Sequence, residues 1–462
     1  MGGIERVVVV EVGVDVSDPR VRVVVLNFNG GEMVVNALEH LIATDYPADQ
    51  LHVLCVDNCS TDGSAELVKQ RLPQVEVRSN DRNLGFPGNN SALTDLDEID
   101  YVALINSDAF VQSDWLRPLV EALESDRGLG AVCPKILLNS RYVELSVRAG
   151  VDGSGLDDVR GGGVMIRGCR RNGSDVFADT NAGATGYGRE ADRSGVFEWL
   201  KDIATVRIPI TDAAEPLRIS LLLQAPSYRA VRLDGGLGVV TCDVGPTPSW
   251  CDVDLRGEAF DVINNIGSVV LGDGYGADGG WLERDRGQFD DRNEAFAWCG
   301  GAVLLRTAYL RDVGLFDPRF FLYYEDTDLS WRGGLRGWRY ETVPSSRVRH
   351  VHAASSGEAS GIFAFYTERN RLLMLVKNAP LRLVLRQILR FLLVTVSYGK
   401  RDVFVPMARL RKPSFTTIHR RSSSFFGFCR LLPVMLVERR RIRSKRLVTD
   451  GKLLAGMTNR IE

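Results

Sequence analysis

The pattern that most constrains the fold is an alternation of buried strand, polar loop and helix in the first quarter of the chain. Apolar, β-branched runs at residues 21–27, 51–56 and 101–105 each lead into a cluster of polar residues. Helical spacing of apolar residues follows at residues 33–43 and 116–123. Such alternation is typical of an α/β fold with a mostly parallel sheet and helices on both faces. Ligands of such sheets bind at the carboxyl ends of the strands, so the polar loops there are the expected binding loops.

Two acidic residues come directly after strands of this pattern. Asp57 follows the second strand, and Asp108 follows the fourth in the sequence Asn106-Ser107-Asp108. An Asp in the first position suits a nucleotide ribose or base edge, and one in the second suits a divalent cation that holds phosphates. Each has a structural alternative: Asp57 as an Asx turn or helix cap, and Asp108 as the cap of the following turn. No GxGxxG or Walker loop is present, which argues against NAD and NTP-hydrolysing classes.

A second informative stretch, residues 298–352, places acidic residues and histidines in one α/β unit. Glu325 and Asp326 follow two tyrosines at a predicted helix start, and the chain returns through a strand to His350 and His352. This arrangement can bring a base and a metal ligand to one end of a sheet. The alternatives are carboxylates that cap an ordinary helix and a histidine satisfied within an edge strand.

The chain is long enough for two or three domains, with 462 residues of which 45% are hydrophobic. Its eight cysteines include no metal-type C-x-x-C pair, so we expect free thiols rather than zinc ligands or disulfides. The N-terminus lacks the pattern of a signal peptide, and no stretch reaches the roughly 18 uninterrupted apolar residues of a membrane-spanning helix. These features predict a cytoplasmic location.

The α/β pattern stops between residues 151 and 258. Short runs such as RISLLLQ, YRAVRLD and GVVTCDV recur there at roughly ten-residue spacing, which predicts a small inserted β-sandwich. The predicted domains are a first part of the α/β domain at 20–150, the insertion at 151–258, a second part of the α/β domain at 259–378 and a helical tail at 379–462. The insertion is compatible with binding a ligand or with packing and homo-oligomer formation.

The C-terminal tail is strongly basic. Residues 377–446 carry 18 Lys and Arg against 2 Asp and Glu, within a chain whose net charge is −2. Arg382, Arg386 and Arg390 recur at helical spacing with aliphatic residues opposite, the pattern of an amphipathic helix at an anionic membrane surface. We therefore expect peripheral association with the inner face of the cell membrane. The alternative is a helix packed on the α/β domain with its arginines outward. No nucleic-acid partner is expected, because no recognition module accompanies the charge.

Six motifs occur in a fixed order along the chain: VVVLNFNG, VDNCSTDGS, NLGFPGNN, LINSDAF, WCGGAVLLR and GLFDPRFFLYYEDTDLSWR. In this order they resemble the family-2 glycosyltransferases of GT-A fold, in the branch of rhamnosyltransferases and galactofuranosyltransferases. The resemblance covers about residues 20–150 and 259–375. It implies an enzyme that moves a hexose from a nucleotide-diphospho-sugar donor to a glycan or lipid-linked glycan acceptor in cell-envelope polysaccharide synthesis.

The resemblance also implies roles for individual residues. Donor binding is assigned to Asn27, Asp57, Asn58, Ser60, Asn83, Gly85 and Asp108. Arg369, on the helix that closes the domain, is expected to face the donor as well. Asp326 matches the catalytic base, with Glu325 beside it. Asp108 and His350 match the ligands of Mg²⁺ or Mn²⁺, with His352 as the alternative ligand. The acceptor side is assigned to Trp298, Gly300 and Gly301.

The residue types also fit this chemistry without the family. Displacement at an anomeric carbon needs a base for the acceptor hydroxyl and a cation for the departing diphosphate. One base and no evident second nucleophile favour inversion. The sequence departs from the family's D-x-D motif at Asn106, so one carboxylate, a histidine and the diphosphate itself would hold the metal. The alternative functions are a sugar-1-phosphate nucleotidyltransferase, whose sheet is related, and a non-catalytic glycan-binding protein.

Overall fold

The computed structural model describes residues 18–149, 163–192, 194–210, 216–291, 294–351 and 360–457. The first part of the chain builds one half of a central sheet. Its elements are β1 (Val21–Asn27), α1 (Gly31–Ile42), β2 (Leu51–Asp57), α2 (Ser64–Arg71), β3 (Glu76–Ser79), a 3₁₀ segment (Phe86–Ala92), β4 (Tyr101–Asn106), β5 (Ala109–Val111), α3 (Leu116–Ser125) and β6 (Leu129–Leu138). Strands β3, β2, β1 and β4 lie side by side and parallel. The carboxyl ends of β1 and β2 are level, because Asn27 pairs with Asp57.

The inserted region forms two antiparallel sheets that share a core of their own. Its strands are β7 (Arg141–Ala149), β8 (Met165–Arg171), β9 (Ser174–Asp175), β10 (Gly186–Asp192), β11 (Gly195–Leu200), β12 (Ile203–Ile210), β13 (Leu217–Gln224), β14 (Arg229–Asp234), β15 (Val239–Val244) and β16 (Ser249–Leu255), with 3₁₀ turns at Phe177–Asp179 and Gly183–Thr185. One sheet has the order β10-β11-β8-β13-β16 with β9 beside β8, and the other has the order β12-β7-β14-β15.

The predicted β-sandwich is therefore confirmed, but its predicted start at residue 151 is wrong. β7 already belongs to the sandwich, because it pairs along its length with β12 and also with β14. Its side chains alternate between buried and exposed, as expected for a sheet with one face in a core and the other in solvent. The insertion thus begins at Arg141, directly after the turn that follows β6.

The chain then returns to complete the central sheet. This part comprises β17 (Ile263–Asn265), β18 (Ser268–Val270), β19 (Gly276–Asp278), β20 (Glu294–Ala295), β21 (Ala302–Arg306), α4 (Thr307–Val313), α5 (Glu325–Arg336) and β22 (Arg339–His350). The full order is β20-β22-β6-β21-β4-β1-β2-β3, with β17 beside β6 and β5 beside β22. β22 is parallel to β6, whereas β21 runs antiparallel to both β4 and β6.

Alternate residues of the inner strands pack against helices on opposite faces of this sheet. Val23 and Val25 of β1 share a core with Leu38 of α1 and with α3. Val24 points to the other face, into a core that includes Leu329 of α5 and residues of α4. The inner strands are buried on both faces, which explains why they appear in the sequence as continuous apolar runs.

The C-terminal part is helical and packs on the central domain. It contains α6 (Gly361–Asn378), α7 (Leu381–Gly399), a π-helical turn (Lys400–Phe404), α8 (Val405–Ala408), α9 (Thr416–Lys445) and α10 (Asp450–Leu454). Arg421 of α9 pairs with Glu368 of α6 and donates to the Phe391 carbonyl of α7, which joins three helices. In the part of the chain that the structure describes, no helix combines the length and the apolar character needed to cross a membrane.

Candidate active site

The loop that follows β3 contacts the loop before α5 at the carboxyl end of the central sheet. The N–H of Phe86 donates to the carbonyl of Phe321 over 2.8 Å. Gly85, which directly precedes Phe86, has a φ of +66°. A Cβ added at Gly85 would lie 2.0 Å from the carbonyl oxygen of Phe321. Only glycine fits this close approach in this backbone conformation. Gly85 therefore joins the two halves of the site, and its role in shaping the donor side stays a prediction.

The side chain of Asn27 forms hydrogen bonds with neighbouring residues of the protein. Its side chain is fully buried, and its Nδ2 donates to Asp57 Oδ1 over 3.1 Å and to Ser64 Oγ over 2.8 Å. Its Oδ1 accepts the N–H of Gly30. Each polar atom of the amide thus has an internal partner. The prediction that Asn27 contacts the donor is wrong, and its side chain instead fixes the loop after β1.

Asn58 has the same kind of role on the next strand. Its Nδ2 donates to Asn83 Oδ1 over 2.9 Å and to the Gly85 carbonyl over 3.1 Å. Its Oδ1 accepts from Asn80 Nδ2 and from the N–H of Leu84. Only 1% of the surface of Asn58 is exposed. Its side chain therefore fixes the loop of residues 80–88 and does not contact a nucleotide sugar, which corrects the prediction. Asn83, which is half-buried, lies at the rim of the same loop.

Asp57 and Ser60 form the turn between β2 and α2. Asp57 Oδ2 accepts the N–H of Ser60 over 3.3 Å, so the Asx-turn alternative describes part of its role. Ser60 Oγ accepts the N–H of Asn29, which ties this turn to the loop after β1. Among the described residues, no cation lies within ion-pair distance of Asp57. Its carboxylate thus remains a candidate acceptor for the hydroxyl groups of a nucleotide.

The segment before α5 has an uncommon backbone. Phe321, Tyr323 and Tyr324 have φ values of 67°, 66° and 69°, in the left-handed region that costs a bulky residue about 1–3 kcal/mol. Side chains of α6 hold this segment in place. Asn370 Nδ2 lies 2.7 to 2.8 Å from the carbonyl oxygens of Phe320, Leu322 and Tyr323.

Arg369 supports the same segment. Its guanidinium donates to the carbonyls of Arg319 and Phe320 and stacks on the ring of Tyr366. Nη2 of Arg369 is thus directed at the backbone before α5, and the contact of Arg369 with a nucleotide sugar stays a prediction.

Two of the acids near α5 are structural. Asp328 is fully buried and accepts from Arg332 Nε over 2.9 Å and from Lys377 Nζ over 2.8 Å. Asp317 lies within 2.8 Å of the same Lys377 and also pairs with Arg319. These cations hold the pKa of Asp317 at about 2, below its ordinary value. The network fixes α5 to α6 and leaves neither carboxylate available for chemistry.

Glu325 and Asp326 differ from these acids because neither forms an ion pair within the described residues. Asp326 Oδ2 accepts the N–H of Gly300 over 3.2 Å, and its Oδ1 accepts the N–H of Thr327 over 2.6 Å. Burial raises the pKa of Asp326, although these N–H groups lower it in part. Half-buried, hydrogen-bonded only to neutral donors and without a cation, this carboxylate is suited to accept a proton.

Glu325 is the more buried of the pair. Its Oε2 has no hydrogen-bond partner in the described part of the chain. Burial, followed by the negative charge of Asp326, raises the pKa of Glu325 well above its ordinary value. Burial thus favours the protonated form of both carboxyl groups, and Asp326 is the one whose oxygens accept N–H groups that favour its charged form.

The segment at residues 298–301 lies behind this carboxylate. Trp298 is fully buried, and its indole packs edge-on against Phe316, so the prediction that it lines the acceptor side is wrong. Gly300 is buried too, and a Cβ there would lie 2.9 Å from the ring of Phe86. The carbonyl of Gly301 accepts the N–H of Asn106. The absence of a Cβ at Gly300 thus leaves room for Phe86 beside Asp326, whereas Gly301 connects β21 to the end of β4 through its backbone.

Asp108 and His350 meet at the end of β22. Asp108 Oδ1 lies 3.1 Å from His350 Nε2, and His350 Nδ1 lies 2.9 Å from Asn264 Oδ1. With Nδ1–H directed at Asn264, the lone pair of Nε2 faces a carboxylate oxygen. Two acceptors at this distance are stabilised by a shared cation or by a proton on the imidazole.

The carboxylate of Asp108 and the imidazole of His350 fit a divalent cation whose other ligands come from a phosphate. Within the described residues, no group of three or more His, Cys, Asp and Glu could hold a metal. His352, the alternative ligand, lies outside the described residues. Asn264 was not predicted, since its contact with His350 spans 86 residues and leaves no local signal.

Part of the chain is similar to known proteins. The protein-family model described as Glycosyl transferase family 2 matches residues 22–146. An N-acetylglucosaminyl-diphospho-decaprenol L-rhamnosyltransferase of Mycobacterium tuberculosis is 46% identical over 61 residues, 13% of this chain and 20% of that protein. The succinoglycan biosynthesis protein ExoO of Rhizobium meliloti is 31% identical over 108 residues, 23% of this chain and 30% of that protein. The chain thus spans less than a third of the length of these relatives.

A solved structure of S. aureus TarS 1–349 is 12% identical, covering 94% of this chain and 88% of that one with a TM-score of 0.39. The mannosyltransferase PcManGT from Pyrobaculum calidifontis, in complex with GDP-Man and Mn²⁺, is 14% identical over 95% of this chain and 79% of that one, with a TM-score of 0.37. The family match includes the strand ends that carry Asp57 and Asp108. Residues 22–146 are therefore similar to glycosyl transferase family 2.

Proposed function

We propose that this protein is an inverting glycosyltransferase that moves a hexose from a nucleotide-diphospho-sugar to a hydroxyl group of a glycan or lipid-linked glycan acceptor. The observation that carries the proposal is the Asp326 carboxylate, which has N–H donors but no cation partner in the described chain. It belongs to the same domain as Asp57 and the Asp108–His350 pair. The named relatives support a place in cell-envelope polysaccharide synthesis and make a rhamnose donor the first to test.

The proposed step is a single displacement. The acceptor oxygen forms a bond to the anomeric carbon as the bond from that carbon to the diphosphate oxygen breaks. The proton of the acceptor hydroxyl passes to Asp326, and the nucleoside diphosphate leaves with the electron pair. One displacement inverts the configuration at the anomeric carbon. Gly300 and Thr327 orient Asp326 through their N–H groups, so the carboxylate needs no rearrangement before it accepts the proton.

Asp108 and His350 are the proposed ligands of Mg²⁺ or Mn²⁺. A divalent cation bound there would neutralise the charge of the departing diphosphate. Asn264 keeps His350 in the orientation that directs Nε2 towards Asp108. Titration of Mn²⁺ in the presence of a nucleoside diphosphate should raise the melting temperature of the wild type. His350→Gln should need at least about tenfold more Mn²⁺ for the same shift, as expected when a site loses one ligand or its support.

A donor screen tests the proposed class. Nucleotide sugars, beginning with a deoxythymidine diphosphate rhamnose, are incubated with Mg²⁺ or Mn²⁺ and with lipid-linked glycan acceptors. The proposal expects a nucleoside diphosphate and a glycosylated acceptor from one donor. Pyrophosphate formed from a nucleoside triphosphate and a sugar 1-phosphate would instead establish a nucleotidyltransferase. Glycan binding without turnover of any donor would leave a non-catalytic binding protein.

A further inference from the structure

Helix α7 exposes an apolar stripe on the side that faces away from the protein. Leu383, Val384, Gln387 and Phe391 are buried against the neighbouring helices. The opposite side carries six aliphatic residues that are 40% to 70% exposed: Leu381, Leu385, Leu389, Leu392, Leu393 and Val396. They follow one another at helical spacing over about 23 Å of helix. A stripe of this length is more than the scattered apolar residues of an ordinary surface.

The segment between α7 and α9, which includes α8, continues this apolar surface. Phe404, Met407, Leu410 and Phe415 are exposed by 70%, 54%, 98% and 59%. Leu410, with the most exposed of these side chains, stands between Arg409 and the basic pair Arg411-Lys412. We call the stripe and this segment together the α7 surface, residues 381–415.

The α7 surface is strongly cationic around its apolar residues. Residues 381–415 contain eight Lys and Arg and a single acid, Asp402, which is paired with Arg401. Arg382, Arg386, Arg390 and Lys400 are exposed beside the stripe. A second copy of the chain is disfavoured as the occupant, because a symmetric contact would bring two such cationic surfaces together. Apolar side chains ringed by cations instead match a bilayer that has acyl chains below anionic headgroups.

We propose that the α7 surface docks on an anionic lipid bilayer, with its leucines in the acyl-chain boundary and its cations at the headgroups. The arginines have two roles here, since Arg386 donates to the Gly272 carbonyl and Arg390 pairs with Asp273. These contacts fix α7 to the loop that precedes β19, so the leucines stay directed outward. The inference stands independently of the proposed transferase activity.

The docked helix is also linked to the candidate active site. The loop held by Arg386 and Arg390 leads to Gly276, whose N–H donates to the hydroxyl of Tyr324 over 3.1 Å. Tyr324 directly precedes Glu325 and Asp326. Docking would therefore hold the start of α5 close to the bilayer, which suits an acceptor carried on a lipid.

Co-sedimentation with vesicles tests the docking. The full chain is mixed with vesicles of phosphatidylglycerol and phosphatidylcholine in equal parts, and with vesicles of phosphatidylcholine alone. The triple variant Leu385→Ser, Leu389→Ser and Leu393→Ser should bind the anionic vesicles at least about tenfold more weakly, since three apolar side chains no longer enter the bilayer. The matched control carries Ile203→Ser, Leu237→Ser and Val239→Ser, which change comparably exposed residues of the sandwich and should leave binding unchanged.

A charge variant separates the two contributions. Arg382→Glu, Arg409→Glu and Lys412→Glu should abolish the preference for anionic vesicles and make the remaining binding insensitive to salt. The proposal is overturned if the wild type does not sediment with anionic vesicles, or if the leucine variant binds them as the wild type does. It is also overturned if light scattering shows a dimer that the leucine variant dissociates while vesicle binding is absent. Circular dichroism and cooperative unfolding confirm that each variant is folded.

Discussion

At the scale of single residues, the roles of the acids around α5 follow from their partners. Asp317 and Asp328 lie against Lys377 and two arginines, and they stabilise the helix. Glu325 and Asp326 receive no cation within the described structure, so burial outweighs the N–H groups that they accept and raises their pKa values. Four neighbouring acids thus separate into two that stabilise the fold and two that can exchange a proton.

Asp328→Asn should destabilise the protein without acting on the reaction. The change leaves Lys377 and Arg332 buried beside one carboxylate fewer, which costs about 3–5 kcal/mol for a broken buried pair. Urea unfolding measures the loss. The control is Asp126→Asn, whose partner Arg339 is half exposed, and which should therefore cost much less stability than Asp328→Asn. Equal losses in the two variants would contradict the structural role of Asp328.

The activity should rise with pH through a midpoint above the ordinary range of an aspartate. The base must be deprotonated to accept a proton, and burial raises the pKa of Asp326, so the acidic limb of kcat moves to higher pH. Glu325→Gln should leave this limb in place, because burial rather than the charge of Glu325 raises the pKa of Asp326. A pH profile of kcat for both proteins makes the comparison. A midpoint near 4, about the value of a solvated aspartate, would contradict the assignment.

The sequence predicts where polar residues lie better than what they contact. The strand ends that carry Asp57 and Asp108 follow from apolar runs that have a local period. Apart from Gly30, the partners of Asn27 and Asn58 lie 22 to 37 residues away along the chain, and no local pattern shows that they satisfy both amides. Trp298 was placed on the acceptor side by its position in a motif, but packing directs its indole into the core.

At the scale of elements, the site depends on the contact between the loop after β3 and the segment before α5. Gly85 permits this contact because its φ is positive and its missing Cβ leaves room for the Phe321 carbonyl. The same segment is held from the other side by Asn370 of α6. The start of α5 is therefore fixed between two supports, which compensates for its left-handed residues.

Gly85→Ala should lower both stability and kcat. The new Cβ cannot fit 2.0 Å from the Phe321 carbonyl, so the two loops must separate and Asp326 loses its position. Gly63→Ala is the matched control, because Gly63 has a φ of +79° but nothing within 4 Å of an added Cβ. The control should show only the backbone cost of about 1 kcal/mol and nearly unchanged kcat. The account is contradicted if the two variants behave alike in unfolding and in turnover.

At the scale of the whole molecule, the sandwich is an insertion with its own core. Its core residues form one cluster, separate from the two clusters that cover the central sheet. The chain enters and leaves it side by side, since Tyr142 and Phe260 exchange two backbone hydrogen bonds. The sequence indicated this insertion through the change from helical to alternating periodicity. It did not indicate its start, because β7 follows β6 after a short turn.

Deletion of residues 144–258, closed by a short Gly-Ser linker, should leave the central domain folded. The linker only needs to join strands that are already adjacent. Donor hydrolysis in the absence of acceptor should persist, because the candidate site residues lie outside the deleted segment. Loss of cooperative unfolding in the shortened chain would show that the two cores depend on each other.

Whether Asp326 is the base is tested by comparing Asp326→Asn with Glu325→Gln in transfer to acceptor. Each variant loses one of two neighbouring carboxylates, so each is the control for the other. We expect Asp326→Asn to lower kcat about a hundredfold or more, the effect of losing a general base, with donor affinity unchanged. Glu325→Gln should retain most of the activity near neutral pH. Equal kcat for Asp326→Asn and the wild type, or a larger loss in Glu325→Gln, would show that Asp326 is not the base.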